Sequence, residues 1–213
     1  EMSHKTLYFN NYLANNVEGI IPVLYEYEIA YKGFLNLRNY IPQPIAISRF
    51  KKNIFKTNDR PIRVVHSLTR SGFKGTKYIK EAFKRLNKSF SGKAEFILQK
   101  RLSLKSYLEI INEFSIVVDQ CNTHSYGMNA LISMALGKVV LSGAEPEILK
   151  SLNKDDCPVL NITPNSDFIY NSIANLIENP LKIEQLSLAS RNFVEENHDA
   201  KKVAKKYINE WEK

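Results

Sequence analysis

Two polar turns of the sequence carry residue types that could bind a phosphate. The first turn, residues 69–75, places Arg70 and Lys74 on a loop that also contains Gly72 and Gly75. Glycine lets the backbone approach a ligand closely, and the arginine fork matches phosphate oxygens. Because exposed cations in turns are usually only solvated, this turn alone is weak support for a site.

The second polar turn, residues 119–127, follows the apolar run 116–118 and precedes a helical pattern. A helix that opens near residues 125–127 would offer the backbone N–H groups of Gly127, Met128 and Asn129 to an anion, together with the positive end of its dipole. Ligands of open α/β sheets bind at the carboxyl ends of the strands. The two turns together therefore predict a phosphate site at one sheet edge.

Alternating strands and helices are predicted to position these turns. The expected strands are residues 63–68, 95–99, 116–118, 139–141 and 159–163. The expected helices between them are residues 76–87, 103–114, from 125–127 onward and 146–152, with Thr76 and Ser103 as N-caps. Apolar runs separated by helical patterns are typical of parallel βαβ units. The sequence predicts an α/β fold, Rossmann-like, with a doubly wound, mostly parallel sheet and C-terminal helices at 166–179, 181–196 and 199–212.

The first 45 residues follow a different pattern. A helix is expected at residues 3–15, a strand at 19–23 and a short helix at 25–32 closed by Gly33, and residues 41–45 contain two prolines in extended chain. These elements are too small to bury a core of their own. We expect residues 1–45 to be the tail of a preceding domain plus a linker, and residues 46–213 to form the Rossmann-like domain.

Composition limits the classes of function. The net charge of +8 favours anionic partners, and the absence of any run of 18 apolar residues excludes a transmembrane helix. Two cysteines are too few for a disulfide framework, which favours a reducing, cytoplasmic compartment. Neither cysteine has neighbours at metal-ligand spacing, and no metal site is predicted. The lysines are dispersed and not interleaved with aromatic residues, which disfavours nucleic-acid binding.

Several other residues have both a structural and a functional interpretation. His124 could contact a ligand or cap the helix after Gly127, and Asp119 could bind a hydroxyl group or only hold its own loop. Glu147 follows Pro146 at a helix start, where acids are favoured by the helix dipole. His66 lies within a strand and is expected in the core. No Ser/His/Asp grouping can be argued from order alone, so no catalytic residue is assigned.

The segment from Lys74-Gly75 through SYGMNALISMALGKVVLSG (residues 125–143) resembles the C-terminal, donor-binding domain of GT-B glycosyltransferases, in particular the retaining transferases of family four. Their motif reads roughly E-x-F-G-x-x-x-x-E-A-M-A-x-G-x-P-V. Its aromatic-glycine pair corresponds to Tyr126-Gly127, and Gly137 is also kept. The resemblance covers residues 60–213 and implies that Arg70 and Lys74 hold the donor diphosphate. The helix from Ala200 resembles the one that crosses back to the first domain.

The sequence departs from this motif at both acids. The first acid corresponds to His124 and the second, which holds the nucleotide ribose in typical members, corresponds to Ile132. The resemblance therefore has two possible implications. Either Asn129 or Ser133 binds the ribose in place of the acid, or sugar-nucleotide binding is weakened or lost. Candidate ribose or sugar contacts are the residues of the motif and of the loop 143–147, namely His124, Tyr126, Ser133 and Glu147.

The resemblance implies a bacterial-type glycosyltransferase of polysaccharide biosynthesis. It would transfer a sugar from a nucleoside diphosphate donor of UDP or GDP type to a glycan or lipid-linked acceptor, with no cofactor and no metal. It would act in the cytoplasm or at the inner face of the membrane, where a basic surface favours peripheral contact. Such sites lie between two domains, so this chain without the missing N-terminal domain is expected to bind donor and turn over little. The alternative is a degenerate, non-catalytic module that docks a protein or an anionic surface.

Overall fold

The computed structural model describes residues 4–59 and 61–212, and contains one sheet of five parallel strands. The strands are β1 (Ile62–Ser67), β2 (Ala94–Gln99), β3 (Ile116–Val118), β4 (Val139–Ser142) and β5 (Leu160–Asn161). Their spatial order is β2-β1-β3-β4-β5, and every neighbouring pair is parallel. The predicted α/β class is confirmed, and the sheet is parallel throughout.

Helices precede, connect and follow the strands. They are α1 (His4–Asn15), α2 (Tyr25–Ala30), α3 (Thr76–Ser89), α4 (Leu104–Ile111), α5 (Met128–Ala135), α6 (Pro146–Ser151), α7 (Ser166–Glu178), α8 (Pro180–Asn197) and α9 (Ala200–Trp211). One helix connects each successive pair of strands, as predicted. Residue 3, the first of the predicted helix 3–15, lies outside the described residues.

Both faces of the sheet are buried, which confirms the doubly wound arrangement. Along β3, Ile116 and Val118 point to the side covered by α3 and α7, where they join the cluster that contains Ile79. Val117 points to the opposite side and packs with Ile111 of α4. Strands buried on both faces are continuously apolar in sequence, which is why the run 116–118 was recognisable.

Two local predictions were wrong. Thr76 does not cap α3: the N-cap is Gly75 in a left-handed conformation (φ 71°), and the Thr76 hydroxyl contacts His66 Nε2 at 2.8 Å. Residues 19–23 form no strand, only a single bridge between Ile20 and Leu37. In contrast, helix α5 begins at Met128 with Gly127 as its N-cap, at the end of the predicted start region 125–127. Ser103 caps α4 as predicted by accepting from the Ser106 N–H.

The segment before the sheet is joined to the end of the chain. The Ile45 N–H donates to the His198 carbonyl (2.7 Å), and the Ala200 N–H donates to the Ile45 carbonyl (3.0 Å). Ile45 and Ile47 are buried with α5 and α8 in one hydrophobic cluster. The linker is therefore attached to the α8–α9 junction, and the domain boundary at residue 45 stays a prediction.

Candidate functional site

A cavity of about 630 Å³ opens at the carboxyl edge of the sheet. It lies against the loops that follow β1 and β3, the point where strand order reverses and where open α/β sheets bind ligands. The loop after β2 and the segment before the sheet complete its wall. The lining residues used below are Glu26, Gln43, Arg70, Lys74, Leu102, Leu104, Tyr107, Asp119, Gly127, Met128 and Asn129.

The two predicted turns meet in this cavity through a buried ion pair. Lys74 Nζ lies 2.8 Å from Asp119 Oδ1, and both side chains are at most 5% exposed. The Asn129 amide donates to the same carboxylate oxygen at 2.8 Å. Asp119, which sequence analysis left between two interpretations, thus holds together a residue from each predicted anion-binding element.

Backbone contacts add to this connection. The Cys121 N–H donates to the Lys74 carbonyl (3.1 Å), and the Asn122 amide donates to the Gly72 carbonyl (3.0 Å). A Cβ on Gly75 would lie 2.3 Å from Cys121 Sγ, so glycine is required for this close approach. Gly75 therefore shapes the site from outside the cavity lining.

Arg70 is the exposed cation of the site. It has a positive φ of 50°, and its guanidinium lies over the Phe73 ring, 4.9 Å from the ring centre. Among the described residues no carboxylate pairs with it, whereas the charge of Lys74 is balanced by Asp119. Of the two predicted cations, Arg70 is thus the one whose charge is available to a ligand.

The N-terminus of α5 faces the same cavity. Gly127 is its N-cap, and no side chain caps this helix end. The first N–H groups of a helix have no partner within the helix, and they attract negative charge. Gly127, Met128 and Asn129 all line the cavity, so the structure brings this predicted anion-binding element to Arg70 and Lys74.

The wall contributed by the β2 side is largely apolar. Leu102 and Leu104 line it together with Tyr107, and both leucines are more than a third exposed. Tyr107 is 9% exposed, and burial raises the pKa of its hydroxyl to about 12. The cavity thus combines a cationic, N–H-rich region with an apolar region.

The other sequence candidates do not line the cavity. Tyr126 is buried with its hydroxyl 3.1 Å from His198 Nε2, and Ser133 is buried with its hydroxyl donating to the Asn129 carbonyl. His124 is exposed beside the Tyr25 ring (5.7 Å), and Glu147 lies in the first turn of α6. Ile132 packs between two hydrophobic clusters. Direct ligand contact by these candidates therefore finds no support in the geometry.

Two further polar residues of the cavity were missed by sequence analysis. Glu26 and Gln43 come from the segment assigned to the preceding domain and linker, far in sequence from either turn. Both bear a buried side-chain oxygen without a hydrogen-bond partner among the described residues. No local motif signalled them, because only the docking of this segment onto the sheet domain brings them to the cavity.

Two buried histidines, His66 and His198, make hydrogen bonds next to the site. Nδ1 of His66 lies 2.8 Å from the Val118 carbonyl, and Nδ1 of His198 lies 2.9 Å from the Gln43 carbonyl. Burial lowers the pKa of each imidazole to about 4. His66 is in the core as predicted, and His198 connects Tyr126 to the linker.

We expect these histidines to make stability depend on pH. Above pH 6.5 they are neutral in the folded and the unfolded chain. Between pH 6.5 and 4 the unfolded chain binds protons that the folded chain excludes, so stability falls as the pH decreases, by up to about 3 kcal/mol per histidine. The measurement is Tm from pH 7.5 to 4 for the unchanged chain and for His198→Gln, which should show a shallower decrease.

The exposed His124 provides the control for this experiment. His124→Gln should leave the dependence of Tm on pH as it is in the unchanged chain. A decrease in Tm that is equally steep in His198→Gln would show that His198 does not contribute to the acid sensitivity.

Comparison with solved structures decides what this architecture is. The chain matches HepE from Anabaena with a TM-score of 0.70 at 15% identity, covering 98% of this chain and 67% of that one. It matches sucrose-phosphate synthase from Thermosynechococcus elongatus with a TM-score of 0.72 at 13% identity, covering 100% and 62%. The fold is that of the GT-B glycosyltransferases. TarM, with a TM-score of 0.71 at 14% identity, shares this GT-B fold over 94% of this chain and 45% of its own.

These matches concern structure only. By sequence, the chain matches no protein-family profile and no curated protein. It spans between 45% and 67% of the three GT-B structures named above. The resemblance stated from residues 125–143 is therefore confirmed at the level of fold.

Within the described residues, no three His, Cys, Asp or Glu side chains come together as metal ligands. Nor does that part of the chain contain a helix long and apolar enough to cross a membrane.

Proposed function

We propose that this chain binds a nucleoside diphosphate sugar and serves as the donor-binding part of a GT-B glycosyltransferase. The observation that carries the proposal is the cavity at the β1–β3 edge, which joins an exposed arginine and an uncapped helix N-terminus to an apolar wall. HepE structures hold UDP and UDP-glucose, and a GtfA structure holds UDP and GlcNAc. By this analogy the proposed donor is of UDP type, with GDP as the alternative base.

The cavity suggests how such a donor would lie. The diphosphate would accept hydrogen bonds from Arg70 and from the first N–H groups of α5, which supply charge and directed donors. Lys74 keeps donor capacity after binding Asp119, because an ammonium has three N–H groups. The nucleobase would rest against Leu102 and Leu104, where apolar contact outweighs the loss of hydration.

This arrangement would also assist the transfer. Breaking the bond between the sugar and the diphosphate develops negative charge on the leaving phosphate, and fixed donors stabilise it without reorganisation. Cations and N–H groups would take the part that a metal ion takes in other transferases. Transfer to a glycan or lipid-linked acceptor, retention of configuration and action in the cytoplasm are part of the proposal for the whole protein.

Direct binding tests the proposal. Titration of the chain with UDP, GDP and ADP should give one preferred nucleotide, and saturation at a hundredfold excess over Kd should stabilise the fold by about 2.7 kcal/mol. We expect Arg70→Ala to weaken this binding roughly tenfold, through loss of a charge-assisted hydrogen bond. Arg49→Ala is the matched control, because Arg49 is exposed outside the cavity.

The rival proposal is a degenerate module that keeps the fold without the donor, and it is favoured by Ile132 at the position of the ribose-holding acid. A folded chain that binds none of the three nucleotides would support this rival. Nucleotide binding that is unchanged in Arg70→Ala would instead exclude Arg70 from the donor site.

A further inference from the structure

Three side-chain oxygens of the cavity lack hydrogen-bond partners among the described residues: the Tyr107 hydroxyl and two oxygens that can only accept, Glu26 Oε2 and Gln43 Oε1. Both of these acceptors are buried. Leaving a buried acceptor without a partner costs free energy, so native structures rarely do so. Two such groups in one cavity indicate a ligand that donates hydrogen bonds to them.

The carboxylate of Glu26 is held in a defined place. Its Oε1 accepts from the Ser125 N–H at 3.0 Å, and the Tyr25 N–H donates to Ser125 Oγ at 3.3 Å. These two contacts dock the start of α2 onto the loop that leads to Gly127, the N-cap of α5. The free oxygen of Glu26 therefore belongs to a carboxylate fixed two residues from the N–H groups proposed to bind the diphosphate.

A carboxylate in this place selects the chemistry of its partner. An ionised carboxylate only accepts hydrogen bonds and repels phosphate, so its partner in the proposed ligand is a hydrogen-bond donor outside the diphosphate, such as a hydroxyl group. In a nucleoside diphosphate sugar, the sugar is bonded directly to the terminal phosphate. Its hydroxyl groups are then the donors nearest to a diphosphate bound at the α5 N-terminus.

We propose that Glu26, together with Gln43 in the same cavity, binds hydroxyl groups of the sugar that the donor carries. This inference rests on the proposed function. His124 occupies the position of the first acid of the motif. Under this proposal a carboxylate next to His124, that of Glu26, is supplied by a different segment of the chain. Glu26 would thus determine preference for the sugar and leave affinity for the nucleotide unchanged.

The test compares affinities for nucleotide with and without sugar. Titration calorimetry gives Kd for UDP and for UDP-glucose, UDP-galactose and UDP-N-acetylglucosamine, and the sugar nucleotide bound best by the unchanged chain is used. The two variants are Glu26→Gln, which keeps an acceptor for the Ser125 N–H, and Glu26→Ala. In both, Kd for UDP should stay unchanged. The ratio of Kd for the sugar nucleotide to Kd for UDP should rise roughly tenfold or more.

Glu28 provides the matched control. It lies on α2 as well, but its Oε2 accepts from Ser151 Oγ at 2.8 Å and does not line the cavity. Glu28→Gln should leave the Kd ratio as it is in the unchanged chain. An unchanged ratio in both Glu26 variants, or an equal loss of UDP affinity, would overturn the inference and leave the proposed function intact. Failure of the unchanged chain to bind any nucleotide would instead overturn the proposed function.

Discussion

Replacing Lys74 with methionine will destabilise the protein by about 3 kcal/mol, the lower end of the effect of breaking a buried ion pair. The substitution keeps the aliphatic chain but leaves Asp119, whose side chain is 3% exposed, with the Asn129 amide and without a cation. Because the Asn129 amide still donates to the Asp119 carboxylate, we expect a loss of stability at the lower end of this range. Urea denaturation measures the effect as a decrease in midpoint at constant m.

Loss of stability and loss of binding must be separated at this position. The double variant Lys74→Met/Asp119→Asn removes both charges and retains an acceptor for Asn129, so it should regain most of the lost stability. If Lys74 also donates to the diphosphate, UDP affinity in the double variant will stay roughly tenfold below that of the unchanged chain.

Lys77→Met is the control for charge alone. Lys77 is exposed on the first turn of α3, with its ammonium over the Tyr78 ring, outside the cavity. Its replacement should change stability by no more than about 0.5 kcal/mol. If Lys74→Met proved equally harmless, the buried ion pair would not contribute to stability. Normal UDP binding by the double variant would limit Lys74 to a structural role.

Replacing Gly143 with alanine will have a comparable effect by a different mechanism. A Cβ at this position would lie 1.9 Å from the Thr123 carbonyl oxygen and 2.8 Å from its carbon. Both atoms belong to the backbone of the loop after β3, so no side-chain rotation relieves the overlap. We expect a loss of about 3 kcal/mol, the upper end of the cost of overpacking.

Displacement of the loop after β3 in Gly143→Ala should also affect UDP binding. The Glu145 N–H donates to the His124 carbonyl at 3.1 Å, which connects the end of β4 to the same loop. Moving that loop shifts Gly127 and the α5 N-terminus, so UDP affinity should fall in the fraction of Gly143→Ala that remains folded. Titration at a temperature well below Tm measures this effect separately from stability.

Gly72→Ala is the control for an added methyl group. No atom lies within 4 Å of a Cβ built at Gly72, and its φ is not in the left-handed region. Stability should therefore change by no more than about 0.5 kcal/mol. A Gly143→Ala variant with the midpoint and UDP affinity of the unchanged chain would show that the two loops are not in the close contact described.

Much of the fold followed from local sequence. Each strand of the sheet was foreseen to within three residues at either end, because strands buried on both faces are short apolar runs bounded by polar turns. The Ser103 cap was recognised from one side chain before an apolar helix pattern. The strand predicted at residues 19–23 was wrong, since an apolar run including Pro22 does not by itself supply a pairing partner.

The candidate site was predictable where it depends on loops that directly follow strands. Six residues were chosen from two turns, and all but Gly75 line the cavity, namely Arg70, Lys74, Gly127, Met128 and Asn129. His124, Tyr126, Ser133 and Glu147 were chosen by position in a motif, and they do not line it. Position in a motif does not determine the direction of a side chain. Tyr126, for example, points to His198 in the interior.

The sequence by itself determined the fold class, the order of the elements and the two turns predicted to bind an anion, because each depends on residues close together in the chain. Tertiary structure alone decided three features: the pairing of Lys74 with Asp119, the availability of Arg70, and the arrival of Glu26 and Gln43 in the cavity. The physical reason is that such pairings depend on how distant segments dock. Lys74 and Asp119 are 45 residues apart in sequence. Glu26 is 99 residues from Ser125, and Gln43 is 155 residues from His198, so no local propensity records these contacts.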